Sequence, residues 1–82
     1  MIVLDGKKMD GRAALHAELR EKLDLPEYYG GNLDSLNDCL GELRERPLMV
    51  VESAGRLLEA DPAYAAALLR VFNDNGIQVL LD

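Results

Sequence analysis

Two short runs of consecutive apolar residues punctuate an otherwise amphipathic chain, Ile2-Val3-Leu4 and Leu48-Met49-Val50-Val51, and Ile77 to Leu81 predicts a final strand. Unbroken runs of this length predict strands covered on both faces, as in parallel sheets, and Asp5-Gly6 ends the first of them. Between the runs, apolar positions recur at helical spacing. Leu15, Leu19 and Leu23 predict a helix over about Gly11 to Leu23, with Asp10 as its N-cap and its charges, including a Glu18–Lys22 pair, turned to water. Leu33, Leu36, Leu40 and Leu43 predict a second helix, which starts after Asn32 and runs on through the charged residues 41–46 until Pro47 stops it. Ser53 to Ala60 predicts one helical turn with Leu57 and Leu58 over the sheet. Asp61-Pro62 then opens a last helix, a cap followed by proline at the first helical position. Its inner face carries Ala65, Leu68, Leu69 and Phe72, and Gly76 suits its C-terminal turn. The order β-α-α-β-α-α-β requires crossover connections, so the expected fold class is α/β: a three-stranded parallel sheet packed against about four helices.

A length of 82 residues allows one small domain, residues 1–82, which buries roughly 60% of its unfolded surface. With one Phe, three Tyr and no Trp, its core must be mostly aliphatic. The net charge of −6 argues against nucleic acid as a direct ligand, because holding phosphates takes Lys and Arg. A basic protein partner fits better and would be steered to the chain by its field. Cys39 is the single cysteine, so an intramolecular disulfide is impossible, and its place beside the leucine stripe suits a small buried hydrophobe. The N-terminal apolar run is too short for a signal-peptide core and no run approaches membrane-spanning length, so the expected location is the cytoplasm.

The residues that organise the chain lie between Leu25 and Leu40. Pro26 biases Leu25 away from helix and Gly30-Gly31 allows a sharp turn, which places two adjacent tyrosines on a loop ahead of the Asn32 cap. Successive side chains on an extended loop point opposite ways, so Tyr28 and Tyr29 should divide into one facing a partner and one structural. Asp34 and Asp38 stack four apart on the helix face opposite the leucines. The helix dipole accounts for Asp34 in the first turn but not for Asp38, so a solvated face and a binding surface both stay open. His16, the only histidine, has no nucleophile or ligand set beside it and reads as a packed residue.

The stretch Leu25-Pro26-Glu27-Tyr28-Tyr29-Gly30-x-Asn32-Leu33-Asp34-x-Leu36-x-Asp38-Cys39-Leu40 resembles the signature of the barstar family, small intracellular inhibitors of barnase-type ribonucleases. The likeness extends more weakly from the N-terminal strand through Pro47-Leu48 to Val71-Phe72. It implies a single barstar-like domain with three parallel strands against helices, acting as an antitoxin- or immunity-type inhibitor that is monomeric when free. It also implies roles. Asp38 would sit in the nuclease's phosphate site, Asp34 would meet basic groups alongside it, and Tyr28 would lay its ring against a catalytic imidazole. Gly30 and Asn32 would shape the loop. Asp74 stands where the family pattern has a glutamate, one methylene longer, and is otherwise simply a polar helix end. Two positions depart from the pattern: Asn37 replaces a large aromatic and Gly31 replaces an acid. The partner-binding set is therefore Tyr28, Gly30, Asn32, Asp34, Asn37, Asp38 and Asp74.

Enzymatic chemistry finds little support. There is no phosphate-cradling glycine loop, zinc-ligand cluster or triad, and two carboxylates on an outward face lack the separated pKa values that acid–base catalysis needs. No cofactor is expected. Asp34, Asp38 and Glu42 offer three oxygens on a convex helix, a poor cage for a hard cation. The remaining alternative is a barstar-like acidic module that binds some other basic protein.

Overall fold

The computed structural model describes residues 1–82. In order, the chain forms β1 (Ile2–Asp5), a 3₁₀ turn (Gly6–Lys8), α1 (Arg12–Lys22), α2 (Leu33–Gly41), β2 (Met49–Glu52), α3 (Ala54–Ala60), α4 (Pro62–Asp74) and β3 (Val79–Leu81). The strands make one parallel sheet in the order β1-β2-β3, with Ile2 opposite Met49 and Met49 opposite Val79. This is the α/β architecture that the apolar pattern predicts, with the second strand at its centre.

Along each strand, alternate residues take opposite faces. Leu4, Met49 and Val51 are fully buried on the face that meets the helices, while Val3 and Val50 on the other face are half-buried and Leu80 beside them is 47% exposed. The expectation of two-sided burial is therefore corrected. The apolar runs reflect the preference of branched side chains for a pleated surface rather than full enclosure. Helix faces supply the rest of the core. Leu15 and Leu19 come from α1, Leu36, Cys39 and Leu40 from α2, Leu57 from α3, and Ala65, Leu68 and Phe72 from α4. Ala54 of α3 joins them, and Met9, Leu23, Leu25, Tyr29 and Ile77, outside any helix or strand, complete it.

Several boundaries differ from expectation, each for a local reason. Asp10 does not cap α1; Gly11 holds the N-cap position without a side-chain bond, because burial of Met9 fixes the chain and leaves Asp10 exposed. The second helix stops at Gly41 rather than running to Pro47. Glu42 N–H and Leu43 N–H turn back onto the Cys39 and Leu40 carbonyls, and Arg46 Nη1 donates to the Leu43 carbonyl at 2.7 Å. Leu58 is 39% exposed and does not cover the sheet, and α3 runs for seven residues rather than one turn. Ile77 is buried core that precedes β3 rather than part of it. Glu18 is buried instead of facing water: its carboxylate accepts from the Asp5 N–H at 2.8 Å and meets Lys22 at 3.5 Å.

One glycine fixes how the sheet end closes. A Cβ on Gly6 would stand 2.4 Å from the Ser53 carbonyl oxygen and 2.5 Å from that of Glu52, both backbone atoms. Only glycine lets the 3₁₀ turn lie this close to the exit of β2.

Candidate functional site

The loop between α1 and α2 is built by local hydrogen bonds and anchored by distant ones. Leu25 N–H returns to the Arg20 carbonyl, and Tyr29 N–H closes a turn onto the Pro26 carbonyl, both at 3.0 Å. Asn32 caps α2 as expected, its side-chain oxygen accepting from Ser35 N–H at 2.8 Å. Ser35 also reaches back, and its Oγ accepts from Gly30 N–H at 2.8 Å. One residue therefore latches both ends of the turn. Gly31 sits between them at φ +68, in the left-handed region where a side chain is strained. The sequence pointed to Gly30, Gly31 and Asn32 but gave no hint of the Ser35 latch. A serine three residues past an Asx cap could have suggested it.

The two tyrosines point opposite ways, Tyr29 buried at 6% exposure and Tyr28 out at 70%. Tyr29 is held by His16, whose Nδ1 meets its hydroxyl, while His16 Nε2 meets the Tyr64 hydroxyl of α4 at 2.6 Å. A neutral imidazole suits this pair, donating to one phenol and accepting from the other. Arg12 stacks over the Tyr64 ring, 4.1 Å from its centroid, and pairs with Asp61 at 3.1 Å. Asp61 in turn caps α4 by accepting from Tyr64 N–H, and these bonds hold its carboxyl below the usual range. His16 is thus structural, as expected, and the pin it makes fixes the back of the loop.

Burial lowers the His16 pKa from its ordinary 6.5 and pushes the Tyr29 phenol up. In the unfolded chain the imidazole regains its ordinary affinity, so below about pH 6.5 the unfolded state binds more protons than the folded one. Stability from this group is complete above that pH and declines as the pH falls through the window down to the folded value. Melts between about pH 7.5 and 5.5 should show a falling Tm that His16→Gln flattens; an equal slope in both proteins would mean that another group titrates.

The outward face of α2 carries the acids. Asp34 and Asp38 are both exposed, and neither meets a cation of the chain, whose two ion pairs are Arg12–Asp61 and Lys22–Glu18. Asn37 lies next to them and is tied to α4: Asn75 Nδ2 donates to its side-chain oxygen at 2.8 Å. That bond joins the C-terminal end of α4, where exposed Asp74 precedes Asn75, to the middle of α2. Tyr28 reaches the far end of the acidic row, its hydroxyl donating to Glu42 Oε2 at 2.9 Å. Loop and helix together present Tyr28, Asp34, Asn37 and Asp38 outward. No hydrogen bond or ion pair links Asp74 directly to the acids of α2. Cys39 lies beneath, buried, with its thiol pKa raised by that burial.

No group of three His, Cys, Asp or Glu side chains has the geometry to hold a metal ion, and no helix is long and apolar enough to cross a membrane. What the surface offers is an anionic ridge flanked by an exposed aromatic ring, suited to a cationic cleft.

A protein of Bacillus subtilis (strain 168) named "Putative ribonuclease inhibitor YrdF" is 46% identical to this chain over 50 residues, which is 61% of the chain and 55% of that relative. The match thus spans little more than half of the relative's length. A family model described as "Barstar (barnase inhibitor)" matches residues 1–79. With nearly the whole sequence inside that match, the chain belongs to the barstar family.

Proposed function

We propose that this chain inhibits a barnase-like ribonuclease by seating the acidic face of α2 in the nuclease's active site. The observation that carries this reading is that Asp34 and Asp38 stand exposed, without a cation of their own, on a helix whose start is fixed by the Asn32 and Ser35 latch. A ribonuclease gathers positive charge to hold phosphate and stabilise its transition state, and a rigid carboxylate can occupy that place without being cleaved. Asp38 takes the phosphate position, Asp34 meets basic groups beside it, and Tyr28 covers a catalytic imidazole with its ring. Asn37 and Asp74 line the side toward α4. Gly30 and Asn32 act through loop shape. The inhibitor acts as a free monomer in the cytoplasm, as an antitoxin or immunity protein toward a basic nuclease.

Titration into a barnase-type ribonuclease cutting a fluorogenic RNA tests this directly. Activity should fall linearly to zero at one inhibitor per enzyme, and association should slow as salt rises, since the acidic chain attracts a basic enzyme at long range. Full activity in the presence of excess folded protein would remove the reading.

One observation favours a second reading, in which the same face binds a different basic protein. The Asn37 carbonyl is engaged by Asn75, so this position offers a tethered amide where the family pattern has a large apolar ring. Pull-down of a basic protein other than a nuclease, together with failed inhibition, would support it.

A further inference from the structure

Glu42 stands where its helix does not favour it. It is the C-cap of α2, at the negative end of the helix dipole and four residues beyond Asp38, so both dipole and like-charge neighbour disfavour a carboxylate there. No Lys or Arg of the chain pairs with it. Its hydrogen bond is to Tyr28, across the whole inhibitory segment, through Oε2 at 2.9 Å. Tyr28 is 70% exposed, and an unheld tyrosine at that exposure samples several rotamers. The bond also raises the Tyr28 phenol pKa, Glu42 being the foremost cause.

We infer that Glu42 is a positioning residue for Tyr28, holding the exposed ring in its docking orientation before the partner arrives and setting what that partner must present. This rests on the inhibitor reading above. Because the Tyr28 proton is committed to Glu42, the phenol oxygen faces a partner as an acceptor only, and the carboxylate behind it makes the ring a better seat for a cation. The partner group selected is therefore a flat donor or cation, an imidazolium or guanidinium. Glu42 Oε1 has no partner in the chain and lies free for a second N–H of the same group. Fixing the ring beforehand also removes the entropy loss that ordering it on binding would entail.

The test is a mutant cycle on the full chain with a barnase-type ribonuclease, using Glu42→Ala, Glu42→Gln, Tyr28→Phe and the Tyr28→Phe/Glu42→Ala pair. Glu42→Ala should weaken inhibition about ten-fold, mostly through faster dissociation, and Glu42→Gln, whose amide oxygen still accepts, should recover part of the loss. In the Tyr28→Phe background Glu42→Ala should have little further effect. Additive losses, or Gln as poor as Ala, would mean that Glu42 acts by charge alone and would overturn the inference. A readout free of any partner is the alkaline titration of the Tyr28 ring by NMR, which should fall toward the ordinary phenol value in Glu42→Ala; an unchanged curve also overturns it. Failure of the wild type to inhibit would instead sink the inhibitor reading, and this inference with it, whereas intact wild-type inhibition with an unaffected Glu42→Ala sinks this inference alone.

Discussion

Asp38→Ala is expected to cost more inhibition than any other single change on the α2 face. On the proposed binding mode it removes the group that neutralises the nuclease's phosphate site, leaving those cations desolvated and unpaired. Truncating one partner of a buried charge pair, the barnase–barstar pair itself among the standard cases, commonly costs about 3 kcal/mol or more, on the order of a hundred-fold. Asp34→Ala and Tyr28→Ala should follow with smaller losses. Because Asp38 is exposed and makes no contact that holds the free protein together, the variant should melt with the wild type, within about 0.5 kcal/mol. Dissociation constants with a barnase-type enzyme, read beside thermal melts, separate the two effects. If Asp38→Ala binds as tightly as wild type, the phosphate-mimic role is wrong.

Phe72→Ala should have the largest effect on the fold. Phe72 is the largest fully buried side chain and the only phenylalanine, set near the end of α4 where Asn75 and Ile77 N–H groups both return to its carbonyl. Emptying such a site costs about 3–5 kcal/mol, from lost transfer energy and an unfilled cavity. A chain of this length is stable by only about 4–12 kcal/mol in all. The Tm should therefore drop by about 15 °C or more, or the variant should be unfolded at ambient temperature. Leu58→Ala, at a side chain 39% exposed, is the control and should move the Tm little. Equal Tm losses for the two would show that the core is not centred where the packing places it.

What could be seen in advance was whatever the chain decides locally. The Asn32 cap, the leucine stripe of α2 and the Asp61-Pro62 start of α4 are settled by residues within one turn of each other. So is the opposed pointing of Tyr28 and Tyr29, although a turn closed by Tyr29 N–H on the Pro26 carbonyl produces it rather than extended backbone. Long-range decisions were hidden. Glu18 looks like a surface charge until the Asp5 N–H, thirteen residues away, turns out to need an acceptor. His16 gives no sign that its two nitrogens will be divided between the loop and α4. The early end of α2 is not legible in the sequence because the charged stretch after Gly41 has good helix propensity, and only the tertiary placement of Leu43, half-buried, draws the chain off its axis. Within the site, the residues of the turn and helix could be read, whereas the Glu42 and Asn75 contacts that orient Tyr28 and Asn37 could not.

The His16–Tyr64 and Asn37–Asn75 bonds span 48 and 38 residues, so the loop and α2 are braced by groups made much later in synthesis. A ribosome that has already released the loop and α2 has not yet made that braced surface, because α4 and its share of the core are missing. On the inhibitor reading, protection of the cell is therefore dosed in finished molecules, with no partial credit for nascent ones. A protease that nicks α4 would disarm the protein as effectively as one that cuts the loop. Turnover outside the loop and α2 would then, on the same reading, be enough to release the nuclease.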